Sequence, residues 1–188
     1  MRSDFPGATG DELYGLPYLR DIYTKSDPQA TTRVTVPVLW DKKTNKLVSN
    51  ESAEIIRMLN SAFDDLGATE VDFYPEDLRT EIDEVNERVY HDVNNGVYKS
   101  GFATTQSAYE EAVTTLFDAL DWLEERLAKQ RYLVGNRLTE ADWRLFTTLL
   151  RFDPVYHGHF KCNLRKLNEY PNLWAYTRDL YQHPGIKE

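Results

Sequence analysis

Residues 34–59 read "VTVPVLWDKKTNKLVSNESAEIIRML", and this stretch sets the architecture of the N-terminal part of the chain. Two short apolar runs, 34–40 and 46–49, flank a charged turn at 41–45. Val-rich runs separated by a polar turn predict a hairpin of two strands. Pro37 falls inside the first run, and a proline donates no ladder hydrogen bond. It therefore belongs at a strand start, an edge or a special turn. A cis Val36–Pro37 bond would turn the chain sharply and leave the N–H and C=O of Val36 to a ligand. An extended peptide could pair with them by strand addition. Beyond the hairpin, Ile55, Ile56, Leu59 and Phe63 recur at helical spacing, which predicts a helix over 52–63 that opens on Glu51 and Ser52. A helix N-terminus offers free amides and a positive partial charge to an anion. Ser52 is placed to hold a carboxylate, and Glu51 to supply the counter-charge for an ammonium. The ligand these residues fit is an extended peptide with both groups at one end.

Working outward, residues 1–31 are rich in Gly, Pro, Asp and Tyr, with one short helix expected around 18–25 and ended by Asp27-Pro28. After residue 66 the sequence "GATEVDFYP" has no usable period and reads as a linker. The character then changes. Residues 77–102 carry an apolar stripe of Ile82, Val85, Val89, Val93 and Val97. Residues 109–130 carry another, of Ala112, Leu116, Ala119, Leu120, Leu123 and Leu127. A third helix is expected after Gly135 and a fourth over 173–182. In "LTEADW", Thr139 and Asp142 have the spacing of a capping box, with Leu138 and Trp143 as its hydrophobic staple. A cap of that kind is worth about 0.5–2 kcal/mol. The expected fold class is therefore α+β to mostly α, with a small α/β piece over 1–66, a linker over 67–79 and an all-helical domain over 80–188.

Composition narrows the partners. The 188 residues carry 31 acidic against 22 basic side chains, a net charge of -9. A nucleic-acid backbone is thereby disfavoured, because binding it requires clustered Lys and Arg. No apolar run approaches the length of roughly 18 residues that spans a membrane. The N-terminus lacks the apolar segment of a secretory signal. The single cysteine, Cys162, fits a reducing cytoplasm and excludes an internal disulfide framework. "HGHFKC", with His157, His159 and Cys162, matches no standard zinc spacing, so no metal is expected. Cys162 reads as a buried structural thiol.

The γ-glutamyl end of glutathione has the chemistry that Glu51 and Ser52 fit. "VPVLWD" and "NESAEIIRML" resemble the glutathione site of glutathione transferases, where a Val-(cis-Pro) and an acidic-Ser pair grip the tripeptide. Five longer segments extend the likeness: "ELYGLPYLRDIY", "RVTVPVLWDKKT", "NNGVYKSGFATTQ", "YLVGNRLTEADWRLFTTLLRFD" and "YHGHFKCN". Together they resemble the glutathionyl-hydroquinone reductases, the Xi class of glutathione transferases, over nearly the whole chain.

The resemblance implies a glutathione-transferase-like fold, with a partial thioredoxin-like N-terminal domain before the helical one. It implies glutathione as co-substrate, a glutathionyl-hydroquinone-type aromatic substrate and a cytoplasmic homodimer. Arg33, Val34, Thr35, Val36 and Pro37 would line the tripeptide, and Glu51 and Ser52 would hold its γ-glutamyl head. Tyr98 would donate or accept the proton, and Tyr156 would be a second active-site tyrosine that polarises the substrate site and lowers the thiol pKa. The family's attacking cysteine stands in a Cys-Pro-Trp-Ala motif, which these 188 residues do not contain. The expectation is then a member cut at both ends and inactive by itself. The alternative is a non-catalytic binding or dimerisation module.

Overall fold

The computed structural model describes residues 6–68 and 71–187. The chain divides into two compact units, Met1–Glu70 and Val71–Glu188.

In the first unit, helix α1 (Leu19–Ser26) begins where the Tyr18 amide donates to the Asp21 carboxylate, 3.1 Å. It stops before Pro28, as the avoidance of helical backbone ahead of proline requires. Strands β1 (Leu39–Asp41) and β2 (Lys46–Ser49) pair antiparallel, with Trp40 opposite Leu47. The turn between them holds Asn45 at φ 56, a left-handed conformation that asparagine tolerates. The Asp41 carboxylate fastens the turn by accepting from the Lys43 amide (2.8 Å) and the Thr44 hydroxyl (2.7 Å). Helix α2 (Ser52–Ser61) follows and buries Ile55.

The strand expected over 34–40 is shorter than its Val content suggests, because only Leu39–Asp41 joins the ladder. Pro37 follows a cis peptide bond and has no amide to offer. Just before it, the Tyr23 phenol of α1 takes over the backbone of Thr35. Its hydroxyl donates to the Thr35 carbonyl (2.7 Å) and accepts from the Thr35 amide (3.2 Å). The Asn50 amide group adds bonds to the Tyr23 hydroxyl (3.2 Å) and the Thr35 hydroxyl (3.1 Å). A side chain thus does here what a neighbouring strand would otherwise do.

The second unit is helical, and its first predicted helix is not one piece. A 3-10 turn (Glu76–Leu78) leads into α3 (Arg79–Arg88), a π-helical segment (Val89–Asn94) and α4 (Gly96–Phe102). The apolar stripe explains the change of winding. Val85, Val89, Val93 and Val97 recur every four residues, and on a helix of 3.6 residues per turn such a row drifts by about 40° per step. The wider π turn removes that drift. All four valines are consequently buried, Val93 and Val97 completely.

Helix α5 (Gln106–Leu127) starts on Thr105, whose hydroxyl accepts from the Ala108 amide, 3.2 Å. Its apolar face packs against the valine stripe through Leu116, Leu120 and Leu123. Helix α6 (Glu140–Arg151) runs into a second π-helical segment (Phe152–Tyr156), a single turn α7 (His157–His159) and, after a loop, α8 (Pro171–Tyr181).

Asp142 does more than the expected cap. One carboxylate oxygen accepts from the Thr139 amide (2.8 Å) and hydroxyl (3.1 Å). The other accepts from the Leu133 amide (2.9 Å) and the Tyr176 hydroxyl (2.8 Å). The Asp142 amide also donates to the Thr139 carbonyl at 3.2 Å, within the capping box expected of this helix start. Burial pushes the Asp142 carboxyl above the usual aspartate range, and the four donors, which favour the ionised form, offset part of that rise. One buried side chain thereby ties α6 to α8 and to the loop before α6.

Candidate functional site

The sequence singled out two groups of residues, one in each unit. In the first unit, residues 33–37 are all exposed, and Val36 is 75% exposed. The Val36–Pro37 bond is cis. Neither the N–H nor the C=O of Val36 has a hydrogen-bond partner among the described residues. With Thr35 held from behind by Tyr23, the segment presents the unpaired backbone of Val36 to solvent.

Glu51 is the N-cap of α2, and Ser52 is its first helical residue. The Glu51 carboxylate accepts from the Ala53 amide at 3.5 Å, a long bond that leaves most of its acceptor capacity unused. The Glu51 amide donates to the Ser49 hydroxyl (3.1 Å), which donates in turn to Glu54 (2.8 Å). This relay fixes the corner between β2 and α2. Ser52 is exposed, and its hydroxyl is unpaired among the described residues. The helix start therefore offers the free Ser52 hydroxyl and amide beside a carboxylate.

In the second unit, Tyr98 on α4 and Tyr156 at the end of the second π-helical segment come together. Their hydroxyls lie 3.4 Å apart and their rings meet edge to face at 5.8 Å. Tyr98 is 44% exposed, whereas Tyr156 is 5% exposed. Burial, then the bond to Tyr98, pushes the Tyr156 phenol up to about 12, against a smaller opposite pull from Arg151. At neutral pH Tyr156 keeps its proton and is available as a donor. Pro154 sits inside the π-helical segment that delivers Tyr156. A proline cannot donate to an α-helical ladder, so the regular winding of α6 ends there.

Sequence reasoning passed over the rings around this pair. Phe102, one turn beyond Tyr98, stacks on it (25°, 6.2 Å) and is 70% exposed. Phe160 lies parallel to Tyr156 (14°, 5.5 Å) and touches Tyr98 (5.4 Å) and Phe102 (5.3 Å). The available signal was the spacing of Tyr98 and Phe102, four apart, and of Tyr156 and Phe160, also four apart.

Cys162 is fully buried, and burial pushes its thiol up to about 11. Its sulfur lies 3.9 Å from the Val97 carbonyl and 3.8 Å from that of Phe160. A thiol so placed is protonated at neutral pH and is not a nucleophile.

With these parts in view, the class is plain: this is the glutathione-transferase fold, mostly helical with a small two-stranded sheet. A profile described as glutathione S-transferase, C-terminal domain, matches residues 106–179. The chain is 60% identical over 184 residues to glutathionyl-hydroquinone reductase YqjG of Escherichia coli (strain K12), covering 98% of this chain and 56% of that protein. The solved glutathione-bound structure of YqjG, a glutathione transferase homolog from Escherichia coli K-12, superposes with a TM-score of 0.95 at 59% identity. That superposition covers 99% of this chain and 60% of the other. Glutathione transferase Xi 1 from Trametes versicolor gives a TM-score of 0.92 at 54% identity, covering 98% of this chain and 64% of the other. The chain thus spans between about half and two thirds of the length of these relatives.

Proposed function

We propose that the chain carries the glutathione-binding and hydroquinone-handling part of a Xi-class glutathionyl-hydroquinone reductase, acting as a cytoplasmic homodimer. Residues 1–66 belong to a partial thioredoxin-like domain, 67–79 to a linker and 80–188 to the helical domain. The observation that carries the reading is the Tyr98–Tyr156 hydroxyl pair, found in a chain 60% identical to a reductase of that name.

In this reading Val36 pairs its backbone with the extended tripeptide, and Arg33, Val34, Thr35 and Pro37 line it. The Ser52 hydroxyl and amide hold the γ-glutamyl carboxylate, while Glu51 faces the ammonium. A thiolate attacks the sulfur of the glutathionyl-hydroquinone, forming a sulfur–sulfur bond as the carbon–sulfur bond breaks. The electron pair of the broken bond goes to the ring carbon, which takes up a proton. A second glutathione thiolate then displaces the attacking thiol and leaves as glutathione disulfide. Tyr98 supplies the proton or stabilises the developing charge, as a positioned acid does. Tyr156, held protonated, donates to Tyr98 and so leaves the Tyr98 proton free for the substrate.

The attacking thiol in the family belongs to Cys-Pro-Trp-Ala, and Cys162 does not replace it, being buried and protonated. That observation favours a second reading for the 188 residues alone: they bind glutathione without turnover.

Calorimetric titration of glutathione into the chain tests the binding half. Ser52→Ala is expected to weaken affinity by roughly 10–100-fold, since a charge-assisted hydrogen bond contributes about 1.5–3 kcal/mol. Equal affinity would remove Ser52 from the site. The chemical half is tested in a chimera that adds a segment bearing the family's Cys-Pro-Trp-Ala motif. There Tyr98→Phe should lower turnover of a glutathionyl-hydroquinone by roughly 10–10³-fold with glutathione affinity unchanged. Parent-like turnover would reduce Tyr98 to a packing residue.

A further inference from the structure

The geometry points to Phe160, seated on the bare backbone of Gly101, as the positioning residue that sets the Tyr98–Tyr156 pair. The inference rests on the reading of that pair as the proton-handling group. Four observations converge on it. A Cβ built on Gly101 would stand 2.3 Å from Cδ1 of the Phe160 ring, 2.4 Å from its Cγ and 2.8 Å from its Cβ. Real contacts are never so short, so α4 admits Phe160 only because residue 101 has no side chain. The seated ring then lies flat along Tyr156 and against Tyr98, touching both phenols.

The backbone around Phe160 is fixed as well. The amides of Phe160 (3.2 Å) and Cys162 (3.1 Å) both donate to the Tyr156 carbonyl, closing a loop from one aromatic back to the other. Lys161 between them holds φ 58, a left-handed conformation that a lysine takes only when its surroundings impose it. The Lys161 carbonyl is held in turn by Tyr109 of α5, whose hydroxyl donates to it at 2.6 Å.

Phe160 touches no substrate in this scheme. It acts through Tyr156, on which it lies flat, and so helps keep water from that ring. The groups that face the Tyr156 phenol are Tyr98 from α4, Arg151 from α6 and Cys162 from the loop, and none of them supplies the flat apolar wall that Phe160 does. Remove that wall, and Tyr156 gains room to turn away from Tyr98. The two hydroxyls would part, although the helices around them would stay.

The test uses the 188-residue chain with ring-labelled tyrosine, observed by NMR at neutral pH. Tyr98 is assigned by its disappearance in Tyr98→Phe. In the parent, Tyr156→Phe removes one hydroxyl of the pair and is expected to shift the Tyr98 ring resonance. In a Phe160→Leu background, the same Tyr156→Phe change should leave Tyr98 unmoved, because the pair is already parted. An equal Tyr98 response in both backgrounds would overturn the proposal. Should Phe160→Leu fail to fold, the parent alone still decides, through nuclear Overhauser contacts from the Phe160 ring to both phenol rings. Their presence supports the seating and their absence refutes it. None of these measurements depends on turnover. A failed glutathione titration would therefore count against the proposed function without touching this inference.

Discussion

The two units of the chain are held together by different means. Among the described residues of the first unit, the buried apolar side chains are Ile22, Tyr23 and Ile55. Order there comes from side chains bonded to backbone: Tyr23 to Thr35, Asp41 to Lys43 and Thr44, and the Lys46 ammonium to the Ser26 carbonyl at 2.5 Å. The helical unit instead buries one continuous cluster running from Ile82 to Leu180. Burial of that kind contributes about 25 cal/mol per Å² of apolar surface, whereas a single hydrogen bond adds a net of about 0.5–1.5 kcal/mol. The helical unit has the sturdier construction, and its weak points are the few polar or glycine positions embedded in the apolar mass.

The largest effect is expected at such a point. Asp142→Ala leaves the Leu133 amide, the Thr139 amide and hydroxyl, and the Tyr176 hydroxyl without an acceptor. Each buried donor left unpaired costs about 1–3 kcal/mol, so a loss of at least about 3 kcal/mol should appear in urea unfolding of the helical unit. A loss under about 1 kcal/mol would mean that water replaces the carboxylate and that the hub is ordinary surface.

Next comes Gly101→Ala, which drives a methyl group into Phe160 and should cost about 1–3 kcal/mol through overpacking. Gly158→Ala is its control, since nothing lies within 4 Å of a Cβ there. That change should fall within about 0.5 kcal/mol of the parent, as for open surface positions. Equal effects at the two glycines would erase the distinction between a packed and an open site.

In the first unit, Tyr23→Phe should cost about 0.5–1.5 kcal/mol, because water reaches the exposed Thr35 once the phenol hydroxyl is gone. Its sharper signature is expected in binding. With residues 33–37 released, glutathione affinity should fall although Tyr23 touches no ligand in the proposed site. Unchanged affinity would show that the cis Val36–Pro37 turn holds its shape without the phenol.

The same contrast explains what could be read from the residues alone. Helical stripes announced α2 and α5 by period, while breakers and a cap marked α1, α6 and α8, so all five fall near their expected places, and β2 lies where the turn at 41–45 put it. The strand over 34–40 was overextended because Val content reports a preference for pleated backbone and is blind to a phenol arriving from α1. The winding change at Val89–Asn94 was legible in principle, from a row of valines four apart, but such a row also fits a regular helix over two turns. Tyr98 and Tyr156 stand 58 residues apart, and no local pattern joins them; only the resemblance named them together. The role of Gly101 was out of reach, because it depends on which ring crosses α4 at that level.

The burial of Cys162 has a practical consequence. The chain carries one thiol, and it is sealed beneath α4 with no surface exposed. A thiol-reactive dye can label it only in molecules whose helical unit has opened, so the labelling rate counts openings. In the regime where reclosing outruns the dye, that rate divided by the rate for an unfolded peptide gives the equilibrium constant for opening. Native buffer suffices, with no denaturant and no added probe site. Asp142→Ala and Gly101→Ala should label faster than the parent in that order, and Tyr23→Phe should label at the parental rate.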